Sequence, residues 1–502
     1  MQLVRENDID ILRQKAMLLQ RENDLLHKRL QELAEALDKT RGQDAATLQQ
    51  ELALLEEKLA AQRQELFGKS SEKRPQESAA KPARQPQPGH GPRQQPELPV
   101  VEQIHELDEA DKVCPACGGD LRPMAGQFEQ ADEVDVVQRT FRIVRHKRQK
   151  YRCGCGGCVD TALGPPKLVP GGRYSVAFAA HVATAKYADH LPLERQAGQM
   201  RRDGLQIDSQ TLWDQTEALA KHLDPSYVAL RLDILTASVV GADETRWPLL
   251  DSDARTWWAW SVVSPKGAWY RIARSRSHEE AGVLLGNFQG TVVSDAYSAY
   301  DALRKLKARS GPTFRQAHCW AHVRRRYVQA EPHHPEATVM LGLIGELYAI
   351  EAKARAEHEP GSPAWHARLG ELRRTESRAV LERIQTWRVG VRALPRGSLG
   401  RANGYLDDNW RELLVFVEDP AVALDNNDAE RGIRGLAVGR KNHYGSKSKR
   451  GTEVAALFYS LIETCKRIDV DPEGYLVAAT LRAIAEPGAV LLPADYAARQ
   501  NS

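Results

Sequence analysis

Three acids in this 502-residue chain sit in settings suited to chemistry at phosphorus. Asp243 (in VVGADETRWPLL) and Asp295 (in TVVSDAYSAYDAL) each close a β-branched apolar run, the pattern of a buried strand that ends in a carboxylate. Glu430, in DNNDAERGIR, falls on a helix whose expected N-cap is Asp425; that puts Glu430 in the second turn and Arg434 on the same face. Two strands and a helix can bring three carboxylates to one point. Hard divalent cations such as magnesium take oxygen ligands, and two of them about 4 Å apart can stabilise both the entering and the leaving oxygen of an in-line phosphoryl displacement. Each acid alone has a plainer reading, since a strand-end acid is often a turn residue and Glu430 with Arg434 could be a surface ion pair.

The order and surroundings of the acids carry a resemblance. LFGKSSEK, CPACGG, KYADHLPLERQ, ADET, SDAYSAYDAL, CWAHVRR, DNNDAERGIR, GRKN and YSLIETCKRIDVDPEGYL follow one another as in the DDE transposases of the bacterial insertion-sequence sixty-six family, between Leu66 and Leu476. DNNDAER and CWAHVRR are specific, whereas ADET alone is weak. The resemblance implies that Asp243, Asp295 and Glu430 are the catalytic acids of a ribonuclease-H-like core holding two Mg2+ ions, with Mn2+ as a substitute. The implied activity is metal-dependent DNA strand cleavage and strand transfer at the ends of an insertion sequence. Arg431, Arg434, Arg440 and Lys441 would neutralise phosphate charge, as would Arg324 and Arg325 of CWAHVRRR. Cys319 and His322 would support catalysis, His322 by orienting a carboxylate or phosphate; a histidine capping the following helix is the alternative. Ala296 departs from the family, which usually has glycine there.

The cysteines give a second chemical signal. Cys114-Pro-Ala-Cys117-Gly-Gly and Cys153-Gly-Cys155-Gly-Gly-Cys158 place two knuckles about forty residues apart, the spacing of a structural tetrahedral zinc site. Cys114, Cys117, Cys155 and Cys158 are the expected ligands, because only Cys155 gives the two-residue spacing to Cys158; Cys153 replaces it or stays free. A redox pair would belong with a βαβ pattern that is absent here. Seven cysteines, an odd number, suit a reduced compartment better than a disulfide framework.

A mixed α/β sheet has to hold the acids. Strands are expected at Ser238–Leu250, Thr256–Val263, Trp269–Ala273, Thr291–Asp295 and Thr313–Cys319, so the core occupies 236–330 and resumes at 421–465. Leu341, Ile344, Leu347, Leu369, Leu372, Leu381 and Ile384 recur at helical spacing and mark 331–420 as an inserted helical domain. Residues 466–502 read as a C-terminal tail. Upstream, 166–235 reads as all helical. There a turn at Gly204 and a helix N-capped by Ser209, with Gln210 and Trp213 near its start, suggest a helix-turn-helix. A structural helical pair is the alternative, since that second helix is poor in Arg and Lys.

The first 73 residues carry a heptad pattern, with Leu12, Leu19, Leu26 and Leu33 at d positions and Asn23 at an a position, which favours a parallel dimer. Gly42 interrupts it and the phase then shifts. An antiparallel hairpin folding about Gly42 within one chain is the alternative. Residues 74–100, rich in Pro, Gln, Arg and Gly, read as a linker. A zinc module at 101–165 follows.

Composition supports a multidomain protein: 42% hydrophobic residues suffice for several cores. The net charge of +3 excludes little, but Arg139–Arg152 and Gly439–Arg450 are locally basic enough to follow a phosphate backbone. No apolar run approaches a membrane span and no signal peptide is visible, so the expected location is cytoplasmic, with no membrane partner. Expected partners are DNA, at the element's ends and at the target, a second copy through the N-terminal helices, and accessory proteins of the same element. Two rival readings share parts of the pattern: a DNA-binding regulatory or architectural protein with a non-catalytic core, and a structure-selective nuclease.

Overall fold

The computed structural model of the chain describes residues 24–33, 49–59, 141–152, 158–252 and 256–500, with a few isolated positions besides. The continuous segments belong to one unit comprising residues 1–69 and 141–502. The expected linker, the ligand candidates Cys114, Cys117 and Cys155, and the a-position Asn23 lie outside the described residues.

A five-stranded sheet forms the centre, in the order β5-β4-β3-β6-β7. Strands β3 (Val239–Trp247), β4 (Trp257–Ser264) and β5 (Gly267–Ala273) make an antiparallel meander. Strands β6 (Thr291–Ser294) and β7 (Arg315–His318) then add in parallel on the other side of β3. The expected strands fall within a few residues of these. A sheet covered on both faces favours β-branched and aromatic residues, and β4 (WWAWSVVS) is buried over its last six residues.

Helices cover both faces of the sheet. Gly241 of β3 faces a helix that carries Ala429, whose Cβ would lie 3.2 Å from a Cβ placed on Gly241. Glu244, of opposite parity, meets Tyr300 on the other face. The crossovers β5→β6 and β6→β7 run through two helices, His278–Leu285 and Ser298–Lys307. In chain order the helices ahead of β7 are α1 (Val176–Tyr187), α2 (Leu193–Arg202), α3 (Ser209–Ile234) and those two, α4 and α5. After β7 comes α6 (Trp320–Ala330).

The insertion is helical as expected and has its own apolar core. It comprises α7 (Ala337–Glu357), α8 (Pro363–Leu372), α9 (Arg378–Gly390), α10 (Ser398–Asp408), α11 (Trp410–Leu413) and α12 (Val415–Glu418). A π-helical turn, Arg373–Ser377, joins α8 to α9. Its Arg373 is fully buried, a position tolerable only with full pairing: Nε and Nη2 donate to Glu351 at 2.7 and 2.8 Å, and Nη1 donates to the carbonyls of Phe416 and Val422 at 2.7 and 2.9 Å. That guanidinium fixes the path by which the chain returns to the sheet. The return delivers α13 (Asn427–His443) and α14 (Lys449–Arg467), which pack on the meander, followed by α15 (Pro472–Ala485) and α16 (Pro493–Gln500).

Two expectations need correction. The C-terminal residues are not a tail, because Tyr475, Leu476 and Ala479 form an apolar helical stripe buried in the main core against α1 and α3. The N-cap of α3 is Asp208, not Ser209, since Asp208 is extended and its carboxylate accepts the Thr211 N–H at 2.6 Å. The expected helix-turn-helix outline is present as α2 and α3 with a turn at Gly204, φ +88°. Helix α3 runs for 26 residues along the core and Trp213 packs against that core, which leaves Gln210 as the exposed residue of the two.

At the N-terminus, residues 24–33 and 49–59 are helical and meet through an Arg29–Glu51 ion pair at 3.4 Å. Positions 29 and 51 lie nearly symmetrically about residue 40, the contact expected of an antiparallel hairpin within one chain. Strands β1 (Lys150–Arg152) and β2 (Val159–Thr161) form a short antiparallel hairpin in which Arg152 pairs with Val159. Its connection therefore contains Cys153, Cys155 and Cys158, of which Cys158 is described and exposed. No helix among the described residues is long and apolar enough to cross a membrane.

Candidate active site

Parallel pairing places two of the acids side by side. Gly241 pairs with Val293, and Asp243 and Asp295 each lie two positions further along neighbouring strands that run the same way, spaced about 4.8 Å. Strand β6 ends at Ser294, immediately before Asp295. The chain then turns sharply, with Ala296 in the left-handed region at φ +66°. The Tyr297 N–H donates to Asp295 Oδ1 at 3.0 Å, and the Tyr405 hydroxyl of α10 donates to the Asp295 carbonyl at 3.1 Å.

The third acid arrives on α13, and Asn426 sets its position. This buried side chain donates from Nδ2 to the carbonyl of Ala242, one residue before Asp243, at 2.9 Å. Its own backbone N–H points to Cys319 Sγ at 3.2 Å. The close approach needs Gly241, where any Cβ would lie 2.9 Å from Asn426 Oδ1. Asn426, not Asp425, is the N-cap; Asp425 accepts from the Asn427 N–H at 3.1 Å, and Glu430 falls in the first turn. Glu430 pairs with His322 Nε2 at 3.9 Å, and among the described residues no ion pair joins it to Arg434.

The electrostatics reveal how close the acids are. Burial first, then the Glu244, Asp295 and Glu430 carboxylates, push Asp243 up to about 8 against the opposing effect of the Glu244 N–H, which donates to Oδ1 at 2.8 Å. Mutually repelling carboxylates that remain partly exposed are a donor set whose charge a dication relieves. The set fits a hard divalent cation with oxygen ligands.

Cys319, His322 and Glu430 also offer ligand atoms within 4.8 Å of one another. Cys319 is sealed from solvent and burial raises its thiol to about 12, so it serves as a neutral acceptor for the Asn426 N–H. His322 is lowered by burial and by Arg325, which keeps its imidazole neutral beside Glu430.

The expected phosphate contacts divide. Arg434 and Lys441 are exposed and share the helical face of Glu430, being four and eleven residues beyond it. Arg431 is exposed off that face and pairs with Asp428 at 3.6 Å. Arg440 turns inward instead: its Nη1 donates to Thr245 Oγ1 at 2.8 Å and to the Arg246 carbonyl, tying α13 to β3. On α6, Arg324 and Arg325 are half-buried, and it is Arg326 that shares the face of His322.

Sequence reasoning passed over Glu244, Arg276 and Asn426. Glu244 is buried on the opposite face of β3, where Arg276 Nε donates to it at 2.9 Å and Tyr300 at 3.0 Å. It backs the strand that carries Asp243. Adjacency to Asp243 was the available signal for Glu244, and the DNND context was the signal for Asn426. Arg276 had none.

With this geometry in view, the matches to known proteins fall into place. Residues 171–454 match the model of the transposase IS66 family, and residues 111–156 match the zinc-finger binding domain of transposase IS66. The latter match supports a structural zinc. The uncharacterized protein y4jD of Sinorhizobium fredii (strain NBRC 101917 / NGR234) is 28% identical over 417 residues, covering 78% of this chain and 80% of the relative. The uncharacterized protein y4qI of the same strain is 28% identical over 426 residues, 81% and 76% of the two chains. No solved structure matches the chain. The family match spans the sheet, the insertion and all three acids, so this chain belongs to the IS66 transposase family.

Proposed function

We propose that Asp243, Asp295 and Glu430 are the catalytic acids of a DDE transposase on a ribonuclease-H-like core, which cleaves the ends of its element and joins them to target DNA. The observation that carries the reading is the convergence of three partly exposed carboxylates, Asp243 in the middle of β3 rather than at the expected strand end, Asp295 just past the end of β6 and Glu430 on α13, with Asp295 and Glu430 close enough to raise Asp243. A three-strand meander extended by two parallel strands supports the core assignment. Two Mg2+ ions, or Mn2+, held by these acids would supply activation of the attacking hydroxyl and charge stabilisation at the leaving 3′-oxygen.

The chain's own groups do the rest. Asn426 and Gly241 hold Glu430 against β3, and Tyr405 with the Tyr297 N–H holds the Asp295 turn. Neutral His322 orients Glu430, and Arg434 and Lys441 run along α13 where a phosphate backbone would lie. Cys155 and Cys158 at the β1–β2 hairpin, with Cys114 and Cys117, would hold the structural zinc. The N-terminal helices would form a coiled-coil contact, within one chain or between two.

Asp295→Asn tests the catalytic assignment, since it removes one charge and keeps the shape. A gel shift on the element's end DNA, run beside a strand-transfer assay in Mg2+, should show normal binding with nicking and joining reduced by hundreds-fold or more. Near-normal joining would make Asp295 structural and overturn the assignment of the three acids; no joining by the unaltered protein would leave the regulatory, non-catalytic reading standing.

A further inference from the structure

We infer that one face of α6 is a track for the DNA backbone leading away from the acids, and that residues 49–59 of the same chain occupy it in the absence of DNA. The inference rests on the transposase reading above. His322, Arg326, Gln329 and His333 are spaced four, three and four residues apart, so they form one stripe along α6 and the turn that closes it. That stripe is about 16 Å long and begins at Glu430. Its groups are one guanidinium, one amide and two imidazoles, and Arg326, Gln329 and His333 are exposed.

Arg326 lies over the Tyr405 ring, 4.0 Å from its centroid, and the Tyr405 hydroxyl reaches the Asp295 carbonyl. The track is therefore continuous with the acids. Among the described residues no carboxylate forms an ion pair with Arg326, Arg396 or Arg401. Unneutralised arginines gathered beside a cluster of carboxylates suit a polyanion whose phosphates bridge the two.

A cleft of about 700 Å³ lies at the far end of the stripe, with Arg326, Arg396 and Arg401 on one wall and Glu51, Glu57 and Lys58 of the N-terminal segment on the other. Glu57 anchors the segment. The N-cap of α10 is Gly397, which has no side chain to cap the helix, and the Glu57 carboxylate accepts the Ser398 N–H in its place. Glu57 Oε2 also lies 4.0 Å from His334 Nε2. An acidic side chain here holds a helix N-terminus beside three arginines, which are the groups a phosphate would use. DNA on the track and the docked segment would compete for one surface.

The test uses the full-length, zinc-loaded protein with a short non-specific duplex and no added Mg2+, so that binding is read without cutting. Backbone amides of residues 49–59 should be protected from hydrogen exchange in the free protein and lose that protection when duplex saturates the chain. Glu57→Lys should bind the duplex roughly five-fold or more tightly by anisotropy, since the fraction of open track rises. Arg326→Gln/Arg401→Gln should weaken binding and lower the slope of log affinity against log salt by about two. Protection of 49–59 that persists under saturating duplex, or an unchanged salt slope, overturns the inference. Cleavage of element-end DNA by the unaltered protein in Mg2+ is scored separately. Cutting with 49–59 still docked sinks the track and spares the transposase reading; release without cutting supports the track and counts against catalysis.

Discussion

Asp243 ionises only against resistance, because burial and three neighbouring carboxylates raise it to about 8. Folding raises this pKa above its unfolded value, so the metal-free chain loses stability as pH climbs from the ordinary aspartate range through about 8. Asp243→Asn cannot ionise and escapes that loss. In EDTA at pH 8 the variant should melt a few degrees above the parent, on the order of 1–3 kcal/mol, and the gap should close as pH falls to about 4. Added Mg2+ should raise the parent and leave the variant nearly unmoved. Ala296 is strained in a different way. At φ +66° a Cβ costs about 1–2 kcal/mol, partly offset by the greater unfolded-state freedom of glycine. Ala296→Gly should therefore raise the melting temperature by about 1–3 °C with cleavage retained. The usual family glycine was visible at this position, but the torsion that favours it was not. The acids themselves were legible because a carboxylate ending a β-branched run is uncommon. Glu244 was not, because one strand presents its adjacent residues to opposite faces and nothing local says which face meets Arg276.

Elements were read more accurately than their junctions. All five strands of the sheet and the helical insertion stood out, since periodicity over many residues outweighs any single one. The N-caps of α3 and α13 were each off by one, because Asp208, Ser209, Asp425 and Asn426 are all good caps and only the backbone torsions choose among them. Asn426 shows what such a junction does. Asn426→Ala removes the hydrogen bond to Ala242 and should destabilise the fold by about 1–3 kcal/mol. Because Glu430 would drift, strand cleavage should fall far more than binding in a gel shift; parallel losses of both would mean that Asn426 matters only for folding. On the opposite edge, β5 relies on α14. Ser460 Oγ accepts the Tyr270 N–H at 2.9 Å and Thr464 Oγ1 the Ala268 N–H at 3.1 Å. Ser460→Ala with Thr464→Val should uncover two strand donors, lower the melting temperature and increase aggregation on heating, measured by light scattering.

At the level of the molecule, zinc and catalysis are separable. The zinc-finger match ends at residue 156, whereas the sheet begins at Val239. Chelator treatment should release one zinc per chain and weaken binding to element ends, while the melting transition of the catalytic sheet stays within a degree or two. A Cys117→Ala variant that keeps both its zinc and its end binding would count against the proposed ligand set. The insertion has a consequence in time. Glu430 follows Asp295 by 135 positions, and Asn426 cannot reach Ala242 until the whole helical insertion has been made. At typical rates of synthesis that interval is roughly 7–27 s, so a nascent chain presents two of the acids long before the third. A ribosome-bound or prematurely terminated product holding only β3 to β7 has an incomplete site and lacks the two helices that pack on the meander. On the proposed reading of the three acids, the order of the chain works as a delay that keeps the site incomplete until most of the polypeptide has been made.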